Sequence, residues 1–314
     1  MKRFILQSLL FAVITGAILI AGEYAVRTVP NPYGYKHRWM LQNGNTVETL
    51  FLGSSHIYYG ISPECWEGAS FNLANVSQGF KYDYILLSRY ADACPSLRSV
   101  VLRVSYASFF DAEFEDSDEW WYAINYKLYM DVNLHSDFSK YNYEMAYFPI
   151  YVRKVKSFLS GNKSLLECDS LGLGLDFSSA NKSAEWESAD KAVKRHTAAD
   201  WRAVDDNRFW LREIASYCRA RDIDLILVTT PTWNTYYNSL DDRQLCKMYE
   251  IIDDILSEYD NVSYFDYLKD PRFEASDFYD CDHLSADIGA RKFTRILRKD
   301  IDAQTTLRQE NSAR

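Results

Sequence analysis

Five short apolar runs, rich in β-branched and aromatic residues, punctuate the chain: "VETLFLG" (47–53), "SFNLAN" (70–75), "SVVLRVS" (99–105), "DLILVTT" (224–230) and "VSYFDY" (262–267). Each has the length of a strand and is close to continuously hydrophobic, which is the pattern of a strand buried on both faces. Between several of them lie helical patterns. "YDYILLSRYADAC" (82–94) is one, "DNRFWLREIASYCRARD" (206–222) carries Phe209, Trp210, Ile214 and Cys218 at helical spacing, and "LCKMYEIIDDILSEY" (245–259) repeats Leu245, Met248, Ile252 and Ile255. Buried strands alternating with helices demand a parallel sheet covered on both sides. The expected fold is therefore α/β, a doubly wound three-layer domain with a central parallel sheet of about five strands and its site at the carboxyl ends of those strands.

The alternation breaks once. From about Asp111 to Asp200 the sequence is dense in Tyr, Trp and Phe and then loses clear periodicity, as expected of an insertion after the third strand. Such an insertion either caps the site and holds substrate or packs on the sheet edge or a membrane surface. At the other end of the architecture, Lys2 and Arg3 precede the uncharged stretch "FILQSLLFAVITGAILIAG" (4–22). It has the length of a bilayer-crossing helix, exceeds an ordinary signal-peptide core and lacks an A-x-A cleavage site. Residues 1–30 are read as an anchor, with a cleaved signal peptide as the alternative, and in either case the positive flank places the rest of the chain outside the cytoplasm. The Pro, Gly and Asn content of 31–44 reads as a linker, 45–300 as the α/β domain, and 301–314 as a polar tail.

Composition excludes several functions. A net charge of -9 with no basic run leaves no footprint for nucleic acid. The six cysteines permit disulfides in an exported protein without implying any, and no pair has zinc-knuckle or C-x-x-C spacing. Cys218, on the apolar side of its helix, is expected to be a buried free thiol.

The chemistry is concentrated in two stretches. "FLGSSHIYYG" (51–60) puts Gly53, Ser54 and Ser55 directly after the first strand. Serines there are common helix caps, but a strand-Gly-x-Ser turn also presents a hydroxyl and its own N–H to the same crevice, as a nucleophile requires. "DFYDCDHLSADIG" (277–289), in the last strand-loop-helix unit, carries His283 at the opening of a helix with Asp280 three residues before it. That spacing lets the carboxylate fold back on one imidazole nitrogen and leaves the other free to accept a serine proton. Ser285 and Asp287 are explained as the cap and first turn of the terminal helix, whereas His283 is not.

With these blocks, from about Asn45 to about Leu297, the sequence resembles the SGNH (GDSL-type) hydrolase superfamily, with the flavodoxin-like three-layer fold that this implies. The family's Gly-Asp-Ser corresponds to Gly53-Ser54-Ser55, making Ser55 the nucleophile and replacing the aspartate by Ser54. The Gly-Ser-Ser form is similar to the exported, membrane-anchored branch containing the D-alanine transfer protein and polysaccharide O-acetyltransferase domains. The family's Asp-x-x-His corresponds to Asp280 and His283. The second block implies an oxyanion-hole glycine, matched by Gly79 in "NLANVSQGF". The third block normally supplies an asparagine, but "RVSYASFF" has none, and Ser105 is the nearest substitute. A missing donor of this kind costs ~3 kcal/mol of transition-state stabilisation. His56 points about a quarter turn away from Ser55 on a helical turn, which suits a structural or substrate contact better than a base. Asp282 would have to curl back sharply, so Asp280 is the better partner for His283.

The expectation is a single-pass, extracytoplasmic serine esterase or O-acyltransferase. It would transfer or hydrolyse a short acyl ester, acetyl above all, on an envelope or exported polysaccharide. Ser55, His283 and Asp280 would be catalytic, with Gly79 and Ser105 at the oxyanion and Ser54 and His56 near the substrate. Its expected partners are an acyl donor, a glycan acceptor, the membrane through the N-terminal helix and a membrane-bound acyl-transfer partner; no metal or organic cofactor is implied. Two rivals stand: a non-catalytic module of the same shape that binds glycan or a partner, favoured by the missing asparagine, and a secreted lipase, disfavoured by the anchor.

Overall fold

The computed structural model describes residues 1–136, 138–161 and 163–312. Along the chain, α1 (Lys2–Arg27) and α2 (Pro32–Asn43) precede β1 (Thr49–Leu52), α3 (Ser55–Tyr58), β2 (Ser70–Asn72), α4 (Phe80–Tyr90) and β3 (Ser99–Arg103). Then come α5 (Tyr122–Tyr129), α6 (Phe148–Leu159), α7 (Asp190–His196), α8 (Val204–Arg219), β4 (Asp224–Thr229), α9 (Asn234–Tyr237), α10 (Asp242–Glu258), β5 (Val262–Asp266) and α11 (Gly289–Ser312). All five apolar runs are strands, each trimmed by one to three residues.

The chain divides into two compact units. In the larger, Trp39–Glu113 with Cys168 onward, the sheet has the order β2-β1-β3-β4-β5 and every pairing is parallel. Register runs through Ser70, Thr49, Ser99 and Asp224, with Leu225 opposite Val262. The central strands are buried throughout β1 and from Val100 to Arg103 in β3, as continuous apolar runs require. Right-handed crossovers put α4, α8 and α10 on one face and α3 and α11 on the other. Contacts agree: Arg212 of α8 pairs with Glu258 of α10, while the Thr294 hydroxyl of α11 accepts from Ser62 N at 2.9 Å just beyond α3. This is the doubly wound three-layer arrangement expected, and because β1 is flanked by β2 and β3, the chain reverses direction across the sheet beside β1. The crevice at that switch point lies outside the carboxyl ends of β1 and β3.

The smaller unit, Met1–Arg38 with Phe114–Glu167, holds α1, α5 and α6. Glu23 near the end of α1 is buried and accepts from Glu144 N (2.7 Å) and Met145 N (3.2 Å), while Arg27 closes on it at 2.8 Å. Lys154 of α6 is buried on Glu144, which also accepts from Tyr129.

Three sequence boundaries shift. Residues 31–44, expected to be a linker, are helical, because Asn31 caps α2 by accepting from Gly34 N at 3.0 Å and Pro32 occupies its first position. The stretch 301–314, expected to be a tail, is helical to Ser312 as the continuation of α11. The insertion 111–200 is split, with 114–167 in the smaller unit and residues from Cys168 in the α/β unit. All six cysteines are free, and Cys218 is fully buried.

Gly53 ends β1 with φ +123°, and a Cβ there would come within 2.7 Å of Arg103 Cβ. Gly53→Ala is predicted to destabilise the fold by roughly 2–5 kcal/mol through backbone strain plus overpacking, read as a lower Tm in detergent. An unchanged Tm would contradict this close approach.

Candidate active site

The close approach of Gly53 to β3 turns the chain sharply out of β1 and presents Ser54 and Ser55 at the start of α3. Behind them, buried Asn72 at the end of β2 donates to Ile57 O (2.8 Å) and Ile61 O (3.0 Å), fixing the short helix to the sheet. Ser55 Oγ lies 2.8 Å from His283 Nε2. The other ring nitrogen, Nδ1, faces Asp280 Oδ1 at 3.0 Å and Oδ2 at 3.2 Å. Asp280 is oriented by the backbone, since Oδ1 also accepts from Asp282 N (3.1 Å) and His283 N (2.8 Å), an Asx turn that explains the three-residue spacing. With Nδ1–H donated to the carboxylate, Nε2 carries the lone pair that can accept the serine proton.

His283 does not open a helix as expected. It sits in a tight loop pinned by the Phe278–Leu284 bridge and by Tyr279 N donating to His283 O at 2.9 Å. The terminal helix begins at Gly289, whose N–H is accepted by Ser285 Oγ at 3.1 Å.

Asp282, set aside on the sequence, is central to the site. It is buried, and its Oδ2 lies 3.5 Å from His283 Nδ1, 3.4 Å from His56 Nε2 and 3.9 Å from His196 Nδ1. The tight loop curls it under the imidazole after all. Three of the chain's five histidines thus gather round one carboxylate. Burial would raise the Asp282 pKa, but the neighbouring histidines hold it well below the carboxylate range. Burial and His283 hold His56 well below an ordinary imidazole, and burial lowers His196 to about 4. For His283 burial is outweighed by Asp280 and Asp282, and its pKa is raised. At neutral pH one anion therefore faces two neutral imidazoles and a third that protonates readily. His56 Nδ1 lies 3.4 Å from Ser54 Oγ, and its ring stacks on that of His283 with centroids 4.4 Å apart. His56, Asp282 and His283 donor atoms fall within 4.8 Å of one another, but both nitrogens of His283 are already engaged, which leaves a pair rather than a metal-ligating trio.

Arg103, at the carboxyl end of β3, is the residue sequence reasoning passed over. It is buried, and its guanidinium bonds to hydroxyls: Nη1 donates to Ser54, while Nε (3.0 Å) and Nη2 both donate to Ser105 Oγ. Burial lowers its pKa, opposed by the charge of Asp111 and of Tyr236, Asp83 and Asp282. Ser54 and Ser105, predicted as separate contacts, are thus joined through one cation. Gly79 starts α4 on the loop after β2, where a Cβ would meet nothing closer than 3.9 Å. That loop is tied to the nucleophile turn by Asn75 N donating to Gly53 O at 3.2 Å. It is shaped by a buried chain in which Asn75 donates to Gln78 (2.9 Å) and Gln78 to Asp83 (2.6 Å). Asp83 is pushed up to about 8 by burial, only partly offset by its hydrogen bonds. Phe177 meets the His283 ring edge-on at 5.1 Å and stacks on Tyr279 at 4.1 Å.

No family model matches the chain, and no curated protein does. Among solved structures it is similar to a candidate platelet activating factor from Streptococcus pneumonia, at 12% identity and TM-score 0.40, over 91% of this chain and 96% of that one. It is also similar to a candidate acylhydrolase from Bacteroides fragilis NCTC 9343, at 9% identity and TM-score 0.41, over 85% and 95% of the two chains.

The electrostatics give a direct expectation for an NMR titration of the imidazole nitrogens. His283 should protonate above pH 6.5, His56 well below it, and His196 near pH 4. Asp282→Asn should lower the His283 midpoint by removing one of its two carboxylates. An unmoved midpoint would mean that Asp282 does not act on the ring.

Proposed function

We propose that the chain is a serine acyl-ester hydrolase or O-acyltransferase working through an acyl-enzyme on Ser55. The observation that carries this reading is the 2.8 Å approach of Ser55 Oγ to His283 Nε2 with Asp280 on the opposite ring nitrogen. In the first half-reaction Ser55 Oγ attacks the ester carbonyl carbon while its proton passes to His283 Nε2. The tetrahedral intermediate collapses as the leaving alkoxide takes that proton, and the acyl group stays on Ser55. Water or a sugar hydroxyl then attacks, with His283 again accepting and returning the proton. Asp280 fixes the tautomer, and Asp280 and Asp282 together stabilise the imidazolium.

The N–H groups of Ser55 and Gly79 belong to first helical turns, where no intrahelical carbonyl is available, and they serve as oxyanion donors. Ser105 takes the place of the absent asparagine. Two guanidinium N–H groups of Arg103 occupy the lone pairs of Ser105 Oγ, so its O–H is left to donate, to Ser108 Oγ at 3.2 Å when the site is empty and to the oxyanion during reaction. Ser105 is the catalytic donor and Arg103 its positioning residue. An acetyl group suits the aromatic wall of Phe177 beside His283. With α1 as an anchor and its basic flank inside, the acceptor is an extracytoplasmic glycan.

A fluorophosphonate probe applied to the full chain in detergent should label Ser55. Ser55→Ala should abolish labelling, and His283→Ala should slow it by orders of magnitude. Labelling should rise with pH through a midpoint above 6.5, because only neutral His283 accepts the proton and its pKa is raised. Ser105→Ala should lower kcat on an aryl acetate by about 10²–10³ with little change in KM, as expected for a donor used only in the transition state. A folded wild type that stays unlabelled from acid to alkaline pH would leave a binding module of this shape as the better account.

A further inference from the structure

Helix α6, "FPIYVRKVKSFL", is amphipathic the wrong way round for a helix packed on a protein core. Its buried positions include Lys154 and Ser157, whereas Phe148 is 69% exposed and Leu159 77% exposed. At about 100° per residue, Phe148, Val152, Val155 and Leu159 fall within about 60° of one another and form one apolar stripe. The valines are half-buried, Lys156 is exposed beside the stripe, and Arg153, further round the helix, pairs with Glu167. An outward apolar stripe with a basic flank is the pattern of a helix lying in a membrane interface.

Its position in the smaller unit agrees. The apolar run of α1 ends at Gly22, and Glu23 is its first acidic residue. A Cβ at Gly22 would come within 2.8 Å of Tyr151 Oη of α6, and the Glu23 carboxylate accepts from the backbone of Glu144 and Met145, four and three residues before α6 begins. So α6 starts at the level where α1 passes from apolar to polar. Tyr24 and Tyr143 are exposed at that same level, where interfacial aromatics belong.

We infer that α6 docks on the bilayer from which α1 emerges, with Phe148, Val152, Val155 and Leu159 in the acyl boundary and Lys156 toward anionic headgroups. This inference rests on α1 being a retained anchor and is independent of the chemistry at Ser55.

Spin-label accessibility tests it in the full chain, with exposed Cys246 and half-buried Cys65 replaced by serine. Single labels at Ile14→Cys, Phe148→Cys, Val152→Cys, Leu159→Cys and Lys156→Cys are reconstituted in phosphatidylcholine–phosphatidylglycerol vesicles. Labels at 14, 148, 152 and 159 should be relaxed more by oxygen than by a water-soluble nickel chelate, and the label at 156 should show the reverse. Water-like values at 148, 152 and 159 with a bilayer value at 14 would overturn the docking while leaving the anchor. Water-like values at all five positions would overturn both. Spin–spin broadening at 148 or 159 would assign the stripe to a second copy of the chain and overturn the inference.

Discussion

The bond between Ser55 and His283 joins residues 228 positions apart, and the rest of the site is arranged around making it. Only an all-parallel sheet brings this about cheaply. With every strand pointing the same way, the loops after β1, β2, β3 and β5 open on one edge, and each delivers one component. The loop after β1 gives the serines, the end of β3 Arg103 and Ser105, and the segment after β5 the Asp280–His283 turn, while Gly79, proposed for the oxyanion, follows β2. Gly53 sets the limit of approach, because its missing Cβ is what allows β1 to turn against Arg103.

Electrostatics then decide what the arrangement can do. A buried guanidinium and a buried carboxylate are each costly alone. Here Arg103 donates to Ser54 and Ser105, and Asp282 lies 3.5 Å from His283 Nδ1. Arg103 donates to the hydroxyls of Ser54 and Ser105, and on the proposed mechanism its field would support a developing oxyanion even though Asp111 and Asp282 oppose it. Asp282 is surrounded by imidazoles of which only His283 has a raised pKa, so on the proposed mechanism a proton from Ser55 would find its favourable place on that ring. The low local dielectric that makes these groups expensive also makes them effective.

Much of this was legible in the sequence. Continuous apolar runs bounded by Gly, Ser and Asn gave five strands and their parallel sense, and the Asp-x-x-His spacing works because an Asx turn needs it. What escaped has specific causes. Arg103 looked like a polar residue at the end of an apolar strand, and nothing in "LRVS" shows that its side chain bends onto two serines. His196 and Phe177 come from the aperiodic part of the insertion, where no pattern places a residue against a strand end. Asp280 is the closer partner of His283, as the sequence suggested, but the sharp curl that would bring Asp282 near as well is made by residues that the Phe278–Leu284 bridge folds tightly. The linker was misread because Asn-Pro marks a loop by composition but here caps a helix.

The central claim is that Ser55 carries an acyl group during turnover. Rapid mixing with an excess of an aryl acetate, followed by acid quench and peptide mass analysis, measures this directly. The account predicts a transient gain of one acetyl group on the peptide containing Ser55, formed as the first equivalent of phenol is released. Turnover of the ester with no acetyl on that peptide at any time, in a protein shown to be folded, would contradict it.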